Sequence, residues 1–460
     1  MRSMSAPTAD DPPGRLPGLA LAAVVVGALT GLMAGSFRLL LELAQRWRLS
    51  LAGWAHDSSW WAPPVYVATC VAAVTAAAWL VHRVEPHAEG SGIPRVEAVV
   101  EGRTEPGSFL ILPVKYVGGL LSLGAGMALG REGPCVQMGG NIGIIVAKLT
   151  RRSRADLRLL VAGGAAAGLA TAFNAPIAGA VFVLEELVKR FDPRTTLATL
   201  VASAGGFAAA RLLVGNDTEF HVPLAAEPRL VEAPFVLVLG VLAGLLGAAY
   251  NWCVMATLAR SDASTWPVEL RAALIGVVVG ILGWIAPGLV GPGDGLTEAS
   301  LLGHGTLAAA CGVFVLRFGL GALSYAAATP GGLFAPMLVL GANLGLAVGI
   351  VGVHLAPGLA PPPTALALIG LAAFFTATVR APVTGIVLAT EMTGSTTLLP
   401  PMLGACAAAM LVATLLRSDP IYDQLTARAV RANRRNVAEA GAAAGDGGSG
   451  EDGAAPVRTP

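Results

Sequence analysis

The stretch GREGPCVQMGGNIG, residues 130–143, sets Arg131 and Glu132 side by side among glycines and a proline, with apolar sequence on both flanks. Its second part has a counterpart later in the chain. PCVQMGGNIG (134–143) aligns with PMLVLGANLG (336–345) at an offset of 202, pairing Pro134 with Pro336, Gly139 with Gly341, Asn141 with Asn343 and Gly143 with Gly345. NAPIAGAVFVLEE (174–186) lies over RAPVTGIVLATEM (380–392) at an offset of 206, pairing Ala175, Pro176, Gly179 and Glu185 with Ala381, Pro382, Gly385 and Glu391. GALTGL (27–32) and GVLAGL (240–245) carry the correspondence to the start of each half. One short apolar match arises by chance. Three in the same order identify two homologous halves, 16–215 and 229–418.

Of 460 residues, 55% are hydrophobic and 13% charged, against about 25% charged in a soluble domain. Long apolar runs such as LALAAVVVGALTGLMAG (19–35) and FVLVLGVLAGLLGAA (235–249) recur from residue 17 to residue 416, which predicts an all-α polytopic membrane protein. The runs do not alternate apolar with polar, so a β-barrel is excluded. A net charge of +1 gives no electrostatic reason to bind nucleic acid. The five cysteines (Cys70, Cys135, Cys253, Cys311, Cys406) sit in or beside apolar segments without ligand spacing, and are expected to be small buried hydrophobes. The histidines form no zinc-type pair. No metal and no cofactor are expected.

Residues 1–15 and 430–460 are polar and rich in Pro, Gly or Ala, and are expected to be disordered. The first apolar segment is long and has a counterpart in the second half, which argues against a cleaved signal peptide. RRSRADLR (151–158), KRFDPR (189–194) and RAVRANRR (428–435) are Arg-rich, which places those loops and both termini in the cytoplasm. An odd number of crossings per half would invert the halves relative to each other, as in transporters built from repeats.

Gly and Pro interrupt the apolar sequence at Gly90-Ser91-Gly92-Ile93-Pro94, at Gly130 to Pro134, and at Pro330-Gly331-Gly332 before Pro336. GAGMALG (124–130) and GGAAAG (163–168) read as close helix packing. The three Gly-Pro clusters instead each begin an apolar helix, with Pro near its first turn. A helix start has unpaired N–H groups and a partial positive charge. Several aimed at one point would bind an anion with moderate affinity, which suits transport better than a lone lysine. The predicted anion pathway is lined by amides at 90–94, 130–134 and 331–335. Ser91 either adds a hydroxyl donor or is an ordinary N-cap.

A carboxylate is itself an anion. Glu132 could therefore occupy an amide-lined site, compete with the transported ion and release the site when protonated. The rival reading is a buried structural ion pair with Arg131. Glu185 and Glu186 close the apolar helix AGAVFVLEE, either as a solvated end bridged to Lys189 or Arg190, or in a special role. Glu185 has a repeat partner, whereas Glu186 aligns with Met392 and is peculiar to one half. Tyr422, just after the last span, reads by default as an interfacial anchor.

GSGIP (90–94), GREGP (130–134) and GGLFAP (331–336) resemble the three signature motifs of the CLC family of chloride channels and chloride/proton antiporters. They stand in that family's order, and the resemblance runs from about residue 17 to residue 425. It implies an all-α homodimer with broken, half-spanning helices, two inverted repeats and one pore per subunit. It also implies that Ser91 and Tyr422 flank a central chloride, with the Leu333 and Phe334 amides completing that site. The Arg131, Gly133 and Ala335 amides would line an outer site, Glu132 would be the gating glutamate and Glu186 the inward proton relay. Lys115 matches a lysine that raises the pore's positive potential.

Channel members generally lack an acid at the position of Glu186, so the resemblance implies an antiporter, with a passive chloride channel as the alternative. Serine at 91, where members resembling nitrate transporters tend to carry proline, favours chloride as the cargo, with bromide or nitrate as alternatives. Arg95 and Cys135 depart from the common pattern, the first bearing on the charge of the cytoplasmic vestibule. The regulatory domains typical of eukaryotic members are not expected. A bacterial inner or plasma membrane is the expected location. No nucleophile–base pairing points to an enzyme.

Overall fold

The computed structural model describes residues 16–215, 219–220, 222 and 227–431. Residues 1–15 and 432–460 of the segments expected to be disordered lie outside the described residues, and residues 430 and 431 of the expected tail are helical. The first half consists of α1 (Leu16–Asp57), α2 (Ala62–Arg83), α3 (Ile93–Val100), α4 (Ile111–Gly124), α5 (Glu132–Leu149), α6 (Arg154–Phe173), α7 (Pro176–Phe182) and α8 (Pro193–Val214). The second half repeats the series with α9 (Ala233–Asp262), α10 (Val268–Ile285), α11 (Asp294–Leu301), α12 (Leu307–Tyr325), α13 (Phe334–Leu355), α14 (Pro363–Val379), α15 (Pro382–Thr393) and α16 (Leu399–Leu415). A last helix, α17, runs over 421–431.

Among the described residues, eight helices are long and apolar enough to cross a membrane. The eight-residue helices α3 and α11 are not; at about 1.5 Å per residue each reaches less than half of a ~30 Å hydrocarbon core. α5, α6, α13 and α14 are buried nearly all round, as befits helices that are apolar on every face. α1, α9 and α16 turn large apolar side chains such as Leu21, Leu237 and Leu403 outward, where lipid is the matching solvent.

Small residues set how closely the buried helices cross. A Cβ on Gly139 would lie 2.1 Å from the Gly164 carbonyl oxygen, and one on Gly164 would lie 2.0 Å from that of Gly139. The second half repeats the crossing, with Gly341 and Gly370 each at 2.4 Å from the other's oxygen. Without a hydrophobic force between helices in lipid, such backbone approach supplies the packing that holds them together.

The halves meet about an internal dyad. Gly130 and Gly332 are repeat equivalents, and each donates its N–H to the other's carbonyl, at 2.7 and 2.8 Å. This antiparallel bridge sends α5 and α13 away in opposite directions, so the repeats are inverted. Glu185 accepts the Val383 and Thr384 amides at 3.1 and 2.7 Å, while Glu391 accepts those of Ile177 and Ala178 at 3.0 and 2.7 Å. Each half thus caps the other's equivalent helix. The cysteine expectation holds for Cys70, Cys135 and Cys406, which are buried, but Cys253 is half-buried and Cys311 is exposed on the outer face of α12. An apolar helix in lipid does not need to bury a thiol.

Candidate functional site

The three Gly-Pro clusters converge and hydrogen-bond to one another. Besides the Gly130–Gly332 bridge, the Gly90 amide donates to Thr329 O at 3.2 Å and the Gly331 amide to Gly90 O at 3.0 Å. Ser122 Oγ ties α4 to Pro330 O at 2.7 Å, and its repeat equivalent Ser324 accepts the Ala128 amide at 3.1 Å. α3, α5 and α13 therefore start from one knot of irregular backbone deep in the protein, where freed N–H groups are tolerated only if they have something to bind.

Lys115 on α4 is fully buried. Its Nζ donates to the carbonyls of Ala88 at 3.0 Å, Glu89 at 3.4 Å and Gly90 at 2.6 Å. Those bonds occupy two carbonyls ahead of GSGIP and that of its first residue, Gly90. The turn is completed by Gly92, the N-cap of α3, at φ +74°. A Cβ there would both strain the backbone and meet Gln137 Oε1 at 2.1 Å.

Arg317 on α12 is the repeat counterpart of Lys115, at the same offset of 202. It donates to the carbonyls of Gly291 at 2.7 Å and Pro292 at 2.8 Å, ahead of α11. The sequence reading did not single out Arg317, although its alignment with Lys115 is a usable signal.

Ser91 is fully buried. Its Oγ accepts the Ile93 amide at 3.3 Å, and its own amide donates to the Tyr325 hydroxyl at 3.4 Å. Capping uses a lone pair and leaves the hydroxyl proton to donate, so the two readings of Ser91 are compatible. Tyr325, at the end of α12, was not foreseen; its repeat equivalent is no tyrosine, and nothing in its spacing marks it.

Glu132 is 1% exposed. Its carboxylate faces its own amide and that of Ala335, and it lies over Gly130, where a Cβ would sit 1.9 Å from Oε2. Oε2 has no hydrogen-bond partner. The ion pair with Arg131 is not formed. The Arg131 guanidinium turns the other way, to Ala172 O at 3.1 Å, Glu219 at 2.5 Å and Asp294 at 3.4 Å. Neighbouring side chains on a helix start point in different directions, and two other carboxylates were within reach. The Gly133 position packs on Ser91, whose atoms a Cβ there would meet at 2.7–2.9 Å.

Leu333, Phe334 and Ala335 are buried at the start of α13. The Phe334 ring stands 4.4 Å from Phe375, 5.0 Å from Phe173 and 5.7 Å from Phe182. Phe182 in turn is 6.3 Å from Tyr422. Tyr422, on α17, is fully buried with an unpartnered hydroxyl, which excludes the interfacial-anchor reading. An orphaned buried hydroxyl costs about 1–3 kcal/mol; a free hydroxyl proton of this kind is a donor suited to an anion.

Glu186 falls in a π-helical turn, Val183–Leu187, and is 5% exposed with Oε1 unpartnered. π-helical turns recur at functional sites. With Glu186 buried, the solvated helix end expected as one reading is absent. Lys189 bridges neither Glu185 nor Glu186 but Glu97 at 3.3 Å and Asp423 at 3.0 Å. It thereby fastens α3 and α17 beside the carboxyl.

A family model described as "Voltage gated chloride channel" matches residues 71–414. The chain is 36% identical over 418 residues to the "H(+)/Cl(-) exchange transporter ClcA" of Salmonella paratyphi A (strain ATCC 9150 / SARB42), covering 88% of this chain and 87% of that protein. Its fold is similar to the crystal structure of a slow cyanobacterial Cl−/H+ antiporter, with a TM-score of 0.86 and 32% identity over 90% of this chain and 98% of that one. A CLC-type fluoride/proton antiporter shares the fold at a TM-score of 0.73 and 21% identity, covering 88% of this chain and 97% of that one.

Proposed function

Because the chain belongs to the voltage-gated chloride channel (CLC) family, we propose that it exchanges chloride for protons across a bacterial inner or plasma membrane, with both termini cytoplasmic. The observation that supports this reading is the pair of buried, incompletely partnered carboxyls, Glu132 and Glu186, both facing the buried, unpartnered Tyr422 hydroxyl. A passive anion pore needs the amides but has no use for a second buried acid.

Chloride would sit between the Ser91 and Tyr422 hydroxyls and the amides of Leu333 and Phe334. The amides of Arg131, Gly133 and Ala335 would form the outer position; the Glu132 carboxylate faces the last of these, the Ala335 amide. Protonation removes the charge that lets Glu132 hold those amides, so proton uptake and anion entry become one event. Glu186 passes the proton toward the opposite face. Lys115 holds the carbonyls of Ala88, Glu89 and Gly90 back and adds a positive charge near the path. The unit of function is a homodimer with one pore in each subunit, and bromide and nitrate are alternative anions.

Reconstitution in liposomes with chloride and protons followed together tests the assignment. A chloride gradient should drive protons. Glu132→Gln should abolish proton movement, and Glu186→Ala should uncouple it while chloride still flows. Chloride flux that never moves protons would assign the protein to the passive-channel alternative.

A further inference from the structure

Arg131 stands next to Glu132 in sequence, yet its charge is balanced elsewhere. Every nitrogen of the guanidinium has a protein partner: Nε on Ala172 O, Nη1 on Asp294 and Nη2 on Glu219. Asp294 begins α11 in the second half. Glu219 lies in the segment that joins the halves, and is anchored there by its buried neighbour Phe220, whose amide donates to Met392 O at 3.0 Å. Arg38 on α1 approaches the other Glu219 oxygen at 2.8 Å and also pairs with Glu42 at 3.2 Å. The result is a nearly closed cluster of alternating charges whose Arg131 and Glu219 side chains are 4% and 6% exposed.

We propose that Glu219 is a positioning residue for the proton-coupled gate: by drawing the Arg131 guanidinium away from Glu132 and balancing its charge, it weakens the opposing charge that Glu132 meets and so favours the protonated gate. This inference rests on the reading of Glu132 as the gate. The groups facing Glu132 are Arg131, Asp294, Cys135 and Tyr422. The cluster itself is faced by Arg38 and, through Asp294, by Arg317. Of the cations near the gate, Arg131 is the adjacent one, and its balance depends on two carboxylates drawn from outside its own helix. If Glu219 is neutralised, the guanidinium keeps a surplus positive charge and a local negative charge disappears. Both changes favour the ionised gate, so more acid is needed to protonate it.

The test is proton-coupled chloride exchange in liposomes at stepped, symmetric pH, comparing wild type, Glu219→Gln, Glu219→Asp, Asp294→Asn and Glu132→Gln. Glu219→Gln should keep the coupling but move the pH of half-maximal exchange to lower pH by about one unit, the order expected when one neighbouring charge is uncovered. Glu219→Asp should restore much of the profile. Asp294→Asn should shift it in the same direction, because Asp294 also pairs with Arg131 and faces Glu132; it also keeps the test alive if the Glu219 variant does not fold. A merely structural role would lower thermal stability without moving the profile. Unshifted profiles in Glu219→Gln and Asp294→Asn would overturn the inference. Proton movement surviving in Glu132→Gln would instead remove the gate assignment on which it rests.

Discussion

Gly130 is the residue on which the position of the Glu132 carboxylate turns. It is absent from the left-handed region, so alanine is conformationally acceptable there. A Cβ at 130 would nevertheless meet Glu132 Oε2 at 1.9 Å and the Ala335 methyl at 3.0 Å. The carboxylate is the free end of a side chain and is the part that gives way. Gly130→Ala should therefore leave a folded transporter whose proposed gating carboxyl is displaced, with proton flux reduced by roughly tenfold or more, since ångström-level displacement of a positioned group costs up to about 10²-fold. Simultaneous proton and chloride flux in liposomes checks it. An unchanged proton-to-chloride ratio would mean that the carboxylate works from some other position.

Glu132 and Ser91 were legible in the sequence because a carboxylate and a hydroxyl in Gly-Pro helix starts are out of place in lipid-soluble sequence. Tyr422, Tyr325 and Phe375 were not legible in the same way. An aromatic residue in an apolar run looks alike whether it packs in a core, lines a site or faces lipid. Tyr422 was reached only through family resemblance.

Between elements, the reciprocal caps explain two glutamates at otherwise unfavourable helix ends. Glu185 and Glu391 each lie where the macrodipole of their own helix repels them. Each is placed across the dyad on two free amides of the partner helix, where the opposite end of a dipole attracts it. Glu391→Ala should cost about 1 kcal/mol, as loss of a helix cap does. It should lower the Tm of the detergent-solubilised protein and leave the coupling ratio alone, because Glu391 touches none of the groups proposed to bind the anion. An unchanged Tm would deny the caps a stabilising role. The offset that pairs Glu185 with Glu391 is plain in the sequence. That each caps the other's helix is not, because a repeat says which residues are equivalent but not where the axis between them runs.

In the molecule as a whole, the proposed anion site belongs to neither half. α3 and α5 come from the first, α13 from the second, and Tyr422 from the helix that follows both. A bound anion would therefore bridge the repeats and stabilise the assembled fold. Chloride should raise the Tm relative to gluconate, by an amount equivalent to about 2.7 kcal/mol at a hundredfold excess over Kd. Tyr422→Phe, which keeps the ring and removes the unpartnered hydroxyl, should shrink that shift. A Tm indifferent to the anion would argue against a chloride site at this junction.

Composition and run length were enough to establish a helical membrane protein, because each span must be apolar along its whole length. The repeat and the Gly-Pro helix starts were likewise readable from local pattern, since backbone breaks in lipid require particular residues. The partner of Arg131, the inward turn of Glu186 and the reciprocal caps depend on which distant groups a fold brings within about 3 Å. Charge pairing is decided by distance in space, and residues 131, 219 and 294 are far apart along the chain. Local sequence carries no record of that distance.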